Sequence, residues 1–157
     1  MGLDYKQFSQ YIQRLKSAKL DLPEFFEFFL LRMANRVIAK VKTITPVDTG
    51  LLRASWQIRG DKVKISYRIK DGKNQAFVSD STAGKDRIRK IGKNYYIFIG
   101  NPVHYASFVE DDHMNSTRTN VVRGYHMLRI AIEDAEAAMQ MYFDQDFQAF
   151  LKRKGVI

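Results

Sequence analysis

Residues 45–56 read TPVDTGLLRASW, and at this stretch the apolar pattern of the chain changes its period. Before it, apolar residues recur every three or four positions, as in a helix; after it, they alternate with polar residues, as in a strand. Pro46 disfavours helical geometry at the residue before it. Asp48 can accept hydrogen bonds from the backbone two residues on, and Gly50 can adopt a positive φ. The stretch therefore predicts a corner between a helix and a strand, with Trp56 on the buried face.

Two helices are predicted before this corner. Apolar residues at three- and four-residue steps predict an amphipathic helix over about residues 4–17, with an apolar side of Tyr5, Phe8, Ile12 and Leu15. Asp21 can cap a second helix over about residues 22–44, because Pro23 falls in its first turn and Glu24 completes a capping box. The expected buried stripe of this second helix is Phe26, Leu30, Met33, Val37, Val41 and Ile44.

The first half of the second helix carries more aromatic side chains than one stripe holds. Phe25, Phe28 and Phe29 fall outside the stripe, as does Leu31. Either the rest of the domain covers them, or they form an aromatic face that contacts a partner. Under the second interpretation, Phe25, Phe28 and Phe29 are candidates for a subunit interface.

After the corner, alternating apolar and polar residues predict a small sheet over about residues 51–110. A first strand runs through Trp56, the turn is Gly60–Asp61, and a second strand covers residues 63–69, which together form a hairpin. Residues 71–93 are polar, contain glycine and lack a period, so we expect a long basic loop. The candidates for contacts with a partner lie in this loop: Lys85, Arg87, Arg89, Lys90 and Lys93.

The C-terminal part predicts one more strand and a long helix. Residues 95–100 (YYIFIG) are apolar enough for the centre of the sheet, and residues 104–110 form a short helix or a fourth strand. A loop follows, and a last helix is expected over about residues 125–152. The sequence thus predicts one α+β domain over residues 1–157. In it, a small antiparallel sheet packs against long N- and C-terminal helices, and the basic loop is inserted between strands.

The composition narrows the class of protein. The 157 residues include no cysteine, which excludes disulfides, thiolate catalysis and cysteine-based zinc sites, and suits a reducing cytoplasm. An apolar fraction of 45% is typical of a soluble globular protein. The richest apolar stretch is interrupted by charged residues, and the N-terminus lacks the pattern of a secretory signal. We therefore expect no membrane segment.

The chain is strongly basic, with 26 Lys and Arg against 17 Asp and Glu, a net charge of +9. Such a charge favours encounters with polyanions. Basic side chains also alternate along the predicted hairpin, and surfaces of this kind bind phosphate backbones by counterion release. Lysine and arginine on strands equally protect sheet edges from aggregation. The basic side chains of the hairpin are Arg53, Arg59, Lys62, Lys64 and Arg68.

No residue pattern predicts catalysis or a cofactor. The three histidines (His104, His113 and His126) lack the spacing of metal ligands on one helix face. The sequence has no G-x-S-x-G nucleophile turn and no phosphate-binding glycine loop. The triplet Asp48-Thr49-Gly50 is better interpreted as part of the corner than as an acid catalyst. We therefore expect a protein that is not an enzyme and binds no metal or cofactor.

The order of three motifs resembles the tail-component family of long-tailed bacteriophages, the head-to-tail joining or tail-completion proteins. The resemblance covers about residues 22–138 and departs at Asp112, where the family usually has glycine. The matching positions form three groups, with the loop at 71–93 in a variable region. They are Pro46, Val47, Asp48, Thr49, Gly50, Leu52, Arg53, Ser55 and Trp56; Asn101, Pro102, Tyr105, Ala106, Val109, Glu110 and His113; and Gly124, Met127, Leu128 and Ala131.

This resemblance implies a structural virion protein without enzymatic activity. In such a protein, several copies, six to match the tail, form a ring that ends the tail tube and joins it to the head connector or neck proteins. It is made and assembled in the cytoplasm of the bacterial host. Apolar side surfaces suit the subunits of a ring, and a positively charged lumen suits non-specific contact with passing DNA.

A different class of protein also fits the charge. A small basic nuclease or RNA-binding α+β domain would use Arg, Lys and Tyr side chains on a sheet to bind phosphates. The +9 charge and the predicted basic hairpin favour this alternative.

Overall fold

The computed structural model describes residues 21–157, together with Gln10, Gln13 and Lys16, which are helical. Apart from these three residues, the predicted helix at 4–17 lies outside the described part. The described chain is α+β, as predicted. Its helices are α1 (Leu22–Ile44), α2 (Leu51–Ala54), α3 (Ala106–Glu110), α4 (Met127–Ala137) and α5 (Met139–Arg153). Its strands are β1 (Gln57–Ile58), β2 (Lys62–Lys70), β3 (Lys73–Thr82), β4 (Ile88–Ile91), β5 (Asn94–Ile97), β6 (Ile99–Gly100), β7 (His113–Met114) and β8 (Val121–Val122).

Helix α1 has the predicted bounds and the predicted cap. The Asp21 carboxylate accepts a hydrogen bond from the amide of Glu24 at 3.0 Å, and Pro23 lies in the first turn. The buried stripe differs at its start, because Phe25 is 1% exposed whereas Phe26, expected to be buried, is 43% exposed. Phe25 takes this place because its ring packs against phenylalanines of α5.

The described core consists of two clusters along α1. The first joins α1 to the segment after the corner, to α3 and to α4; its buried members are Met33, Val37, Val41, Leu52, Trp56, Ala106, Met127, Ala131 and Ala135. The second joins the start of α1 to α5 and consists of Phe25, Phe150, Leu151 and Val156, with Phe29, Phe143 and Phe147 packed against it. Between the clusters, the buried carboxylate of Asp146 on α5 pairs with Arg32 of α1 at 2.8 Å.

The strands of the described chain form four separate two-stranded antiparallel sheets: β1–β6, β2–β3, β4–β5 and β7–β8. The expected hairpin of residues 51–69 is wrong. Gly50 adopts φ 79°, and the chain then turns into α2, in which Ala54 N donates to Gly50 O at 2.9 Å. Residues 57–58 pair with β6 instead of β2. The expected central strand at 95–100 is also wrong, because β5 and β6 belong to different sheets.

The predicted loop at 71–93 is wrong as well, because it contains all of β3 and β4. Asp71 and Gly72 have φ 52° and 72°, the two positive values of a tight hairpin turn, and β2 and β3 pair along their whole length. The C-terminal helix predicted over 125–152 is two helices, α4 and α5, separated at Ala138 (φ −100°, ψ 2°).

An ion pair fixes the base of the β2–β3 hairpin. Arg87 donates two hydrogen bonds to Asp61, each of 2.7 Å, and the Gly84 amide donates a third at 2.9 Å. Burial alone would raise the pKa of Asp61, but the hydrogen bonds from Arg87 and Gly84 and the charge of Arg87 lower it below its usual value. The same contact raises the pKa of Arg87. The segment before β4 is thereby joined to the turn before β2.

We expect Asp61→Asn to lower the free energy of unfolding by about 1–2 kcal/mol at neutral pH, because the charged pair is lost. A carboxylate whose pKa is lower in the folded state stabilises the fold above its unfolded pKa, about 3.9. This stabilisation is lost as the pH falls through the folded pKa. The difference between wild type and variant should therefore shrink below about pH 4.

Urea unfolding at a series of pH values measures this difference. Asp86→Asn, a change at an exposed carboxylate next to Arg87 in sequence, is the control and should change the stability little. An Asp61→Asn effect of the same size at pH 3 and pH 7 would contradict the role of the charge.

Candidate assembly surfaces

The corner after α1 is organised by Thr45, which is 1% exposed. Its hydroxyl donates to the carbonyl of Val41 at 2.6 Å and accepts from the indole Nε1–H of Trp56 at 2.9 Å. Its carbonyl accepts from Arg53 at 2.8 Å. Trp56 and Arg53 thus both bind the residue that ends α1, which places α2 beneath the end of that helix.

The second half of the corner contacts β3. The amide of Ala76 donates to the carbonyl of Thr49 at 2.7 Å, and a Cβ added at Gly50 would lie 3.0 Å from the carbonyl oxygen of Ala76. A positive φ and a close backbone contact both require glycine at position 50. Asp48 was expected to accept a hydrogen bond from the backbone two residues on, but it is exposed. Thr49 makes a bond of this kind instead: its Oγ1 accepts from Leu51 N at 3.4 Å.

The second motif is attached to the first through Asn101. Its Nδ2 donates to the carbonyl of Leu52 at 2.7 Å, and its Oδ1 accepts from the amide of Val103 at 3.1 Å. Ala106 and Tyr105 then pack into the first core cluster, the former buried and the latter in part. The motif therefore fixes α3 against α2.

Glu110, at the end of α3, caps α4. Its carboxylate accepts from Leu128 N at 2.9 and 3.1 Å and from Arg129 N at 3.2 Å, while His126, at the N-cap position, makes no side-chain cap. Gly124 passes so close to the carbonyl of Glu110 that a Cβ would overlap it. The second and third motifs thus form one structural unit, and it places Met127, fully buried, in the core.

Asp112, the position at which the second motif departs from the pattern that it resembles, also binds this unit. Its Oδ1 accepts from the amide of Gly124 at 2.8 Å and lies 3.1 Å from His126 Nε2. The hydrogen bond from Gly124 and the charge of His126 lower the pKa of Asp112. The ring of His113 packs edge-on against Phe108 with 5.3 Å between centroids.

Within the described chain, the His, Asp and Glu side chains form no group of three or more that could hold a metal ion. His104 packs edge-on against Tyr105 with 5.2 Å between centroids. No helix of the described part is both long and apolar enough to cross a lipid bilayer.

An open groove of about 580 Å³ lies between the corner and α3. One wall is residues 46–52, which include Pro46 and Asp48, and the other is formed by Tyr105 and Val109 of the second motif. Pro102 lines a second groove beside β1 and β6. The motif residues that do not hold the fold together therefore border open surface.

The three phenylalanines predicted to form an interface differ in exposure. Phe25 is buried within the chain, so it is not available to a partner. Phe29 is half-buried and packs edge-on against Phe143. Phe28 is 41% exposed, with the guanidinium of Arg32 5.5 Å from its centroid. Of the three, Phe28 is the most exposed and so the most available to a partner.

The basic cluster expected in a loop lies instead on and beside the β4–β5 hairpin. Arg87 is bound to Asp61, and the Lys90 ammonium lies 5.2 Å from the ring centroid of Tyr95. Lys85, Arg89 and Lys93 are exposed. Four of the five cations are therefore open to solvent, and the fifth holds the fold together.

The β2–β3 hairpin, most of whose residues are exposed, was not predicted from the sequence. Near its turn, Tyr67 is 57% and Ile69 is 78% exposed. Apolar side chains are also exposed at Ile91, Phe108 and Val121. Contiguous apolar surface, such as that of Tyr67 and Ile69 on one face of β2, is typical of regions that are covered on assembly.

A comparison with protein families gives one match. Residues 6–111 match the family described as "Bacteriophage HK97-gp10, putative tail-component". The matched range contains the first motif and most of the second, including Glu110, and ends before the third, whose helix Glu110 caps. No curated protein matches the chain. No solved structure matches it either.

We expect Gly50→Ala to destabilise the fold by about 1 kcal/mol or more, because alanine is strained at φ 79° and its Cβ would press on the Ala76 carbonyl. Gly100→Ala is the matched control, since a Cβ there meets nothing within 4 Å. Thermal melting followed by circular dichroism measures both. Equal melting temperatures for the two variants would refute the requirement for glycine at position 50.

We expect Glu110→Ala to lower the free energy of unfolding by about 1–3 kcal/mol, because two amides at the start of α4 lose a charged acceptor. The fluorescence of the single, buried Trp56 during urea unfolding reports the change. Glu136→Ala, at an exposed position of the same helix, should stay within about 0.5 kcal/mol of wild type. A smaller effect at Glu110 than at Glu136 would argue against the cap.

Proposed function

This chain belongs to the HK97-gp10-like family of bacteriophage tail components, and from that membership we propose that it is a tail-completion protein. In this proposal, several copies form a ring, six to match the tail, that ends the tail tube and joins it to the head connector or neck proteins. The chain is a structural component of the virion tail and not an enzyme, and it is assembled in the cytoplasm of the host.

The use made of the motif residues supports a structural role. The polar groups of four motif residues form hydrogen bonds that join helices and turns of the chain. These residues are Arg53, Trp56, Asn101 and Glu110. A catalytic site needs polar groups that are oriented by the fold but free to meet a substrate. The motifs therefore favour a rigid building block over an active site.

The exposed apolar side chains support assembly into a ring. Several of them, among them Tyr67, Ile69 and Ile91, lie on two-stranded hairpins, and such hairpins are marginally stable in water on their own. Contacts between neighbouring copies or with the tail tube would bury them. This distribution of apolar surface is the observation that carries the proposal beyond family membership.

Contact with DNA is a second part of the proposal. The net charge of +9 and the exposed Lys85, Arg89, Lys90 and Lys93 suit a surface that faces passing DNA without reading its sequence. Binding of this kind weakens steeply as the salt concentration rises. The same cations would serve the alternative, a ribonuclease-like protein, which degradation of RNA by the purified chain would favour.

Deletion of the gene from its phage or prophage should abolish infectivity, because heads and tails would be formed but not joined. Electron microscopy of the lysate should show separate particles or tails of abnormal length, and the wild-type gene supplied on a plasmid should restore joined particles. Joined, infectious particles with tails of normal length in the deletion strain would overturn the proposal.

A double change, Arg89→Ala with Lys90→Ala, removes two exposed cations without unfolding the chain, so it tests the ribonuclease alternative separately from loss of folding. It leaves Arg87 in place, and thus the ion pair with Asp61 that holds the hairpin. Loss of RNA degradation in this variant would support the ribonuclease; a purified wild type without such activity would exclude it.

A further inference from the structure

The β2–β3 hairpin has two unlike faces. Residues paired across an antiparallel ladder share a face. Tyr67 and Ile69 therefore lie on the same side as their partners, Ala76 and Asn74, and Asn74 is the one polar residue of that side in the arm. The opposite side carries Arg68 paired with Gln75 and Lys70 paired with Lys73. The part of the hairpin around its turn, residues 67–76, is called the arm here; one of its faces is apolar and the other basic.

The arm is attached to the rest of the described chain at few points. Asp61 and Arg87 hold the base of the hairpin, and Thr49 accepts from Ala76 on its side. Beyond these contacts, the arm exposes most of Ile69 and more than half of Tyr67. A two-stranded ribbon with an apolar face needs a covering surface to be stable.

A surface of opposite character lies on α4. Met127, Ala131 and Ala135 face the core, and the flank of the helix beside this stripe carries Ile132, which is 39% exposed. Together with α3 this side forms an open groove of about 500 Å³, called the acidic groove here. It is lined by Glu110, Asp111, Leu128, Arg129, Ile132, Glu133 and Glu136.

The charges of the acidic groove are unbalanced. Asp111, Glu133 and Glu136 are exposed, and within the described residues no salt bridge involves any of them. Glu110 is different, because its carboxylate caps α4 by accepting from the amide of Leu128. The groove therefore offers an apolar floor, Leu128 and Ile132, bordered by three free carboxylates and one cation.

We propose that the arm of one copy binds in the acidic groove of a second copy. Tyr67 and Ile69 cover Leu128 and Ile132. Arg68, Lys70 and Lys73 lie on the other face of the ribbon, and their long side chains reach round its edges to the carboxylates of Asp111, Glu133 and Glu136 at the border of the groove. Because the two surfaces are different parts of the same chain, the contact is head-to-tail, and head-to-tail contacts produce closed rings when the rotation between copies closes. The inference rests on the proposed ring and names the surfaces that form it.

Charge reversal on each surface tests the contact. In the arm variant, Arg68, Lys70 and Lys73 are changed to Glu; in the groove variant, Glu133 and Glu136 are changed to Lys. Each variant alone places like charges together, so its dissociation constant for self-association should rise at least tenfold. Mass photometry measures the masses present, and circular dichroism checks that both variants are folded.

Mixing the two variants gives the decisive result. The reversed arm of one then meets the reversed groove of the other, and the two unreversed surfaces meet as well, so rings of alternating variants should form. A chain with both surfaces reversed should assemble by itself. A folded mixture that stays monomeric would overturn the proposal. So would a wild-type chain that is monomeric, if the cysteine cross-linking described next fails as well.

Cross-linking provides a second measurement in the purified protein, because the chain has no cysteine of its own. With Ile69→Cys and Ile132→Cys in one chain, mild oxidation should produce a ladder of covalent multimers. Ile69→Cys with Met141→Cys, an exposed residue of α5, is the control and should not. Intrachain disulfides alone would show that the arm folds onto its own groove. If only dimers form, and a chain with Ile69→Cys alone forms them too, the arms of two copies pair with each other. Either result would refute the proposal.

The two proposals fail in different ways. If the arm and groove variants join heads to tails as well as wild type does, the self-contact is wrong and the tail-completion role stands. If the wild-type chain forms the cross-linked ladder but its deletion leaves infectious particles, the tail-completion role is wrong and the contact stands.

Discussion

The hydrogen bonds of the Thr45 hydroxyl are the constraint on which the rest of the described fold depends. The hydroxyl closes the last turn of α1 and receives the indole of Trp56, so the chain cannot leave the helix in any other direction without leaving a buried donor unpaired. From that point α2 lies under α1, and the core side chains of both meet those of α4. Gly50 and Asn101 then attach β3 and α3 to the same corner.

The three motifs are therefore one construction and not three sites. The first motif ends α1, and the second fixes α3 against α2. Glu110, at the end of α3, caps α4 and so joins the second motif to the third. Glycine occurs where backbones nearly touch, at Gly50 and Gly124. The motif residues of this chain are thus largely those that set the directions of its helices.

The sequence predicted the helices better than the strands, and the reasons are physical. α1 is long, periodic and capped by Asp21, so its bounds follow from local chemistry. Residues 52–59 alternate in polarity, but residues 51–54 form a helix, because Gly50 begins a helical turn and its carbonyl accepts from the amide of Ala54. The β3 strand was missed because most of it is exposed, so polarity carried no period. The turn at Asp71–Gly72 was the signal that could have found it.

The candidate surfaces were harder to predict than the fold. Phe25 is buried within the chain and Phe28 is exposed, because α5 packs against the face of α1 that carries Phe25. This contact is long-range, so no local sequence pattern predicts it. The pairing of Arg87 with Asp61 joins residues 26 positions apart. Exposed apolar side chains such as Ile69 resemble core residues in a sequence, and only the position of the hairpin reveals them.

The attachment of the β2–β3 hairpin has a consequence for how such proteins diversify. Its contacts with the rest of the chain are near the base, at Asp61, and at Ala76, so the turn at Asp71–Gly72 carries no core residue. Residues inserted or removed there would change the reach of the hairpin without altering the packing of the helices. In the proposed ring, such changes would adjust the spacing between copies, and hence the diameter, through a segment that the packing of the helices does not constrain.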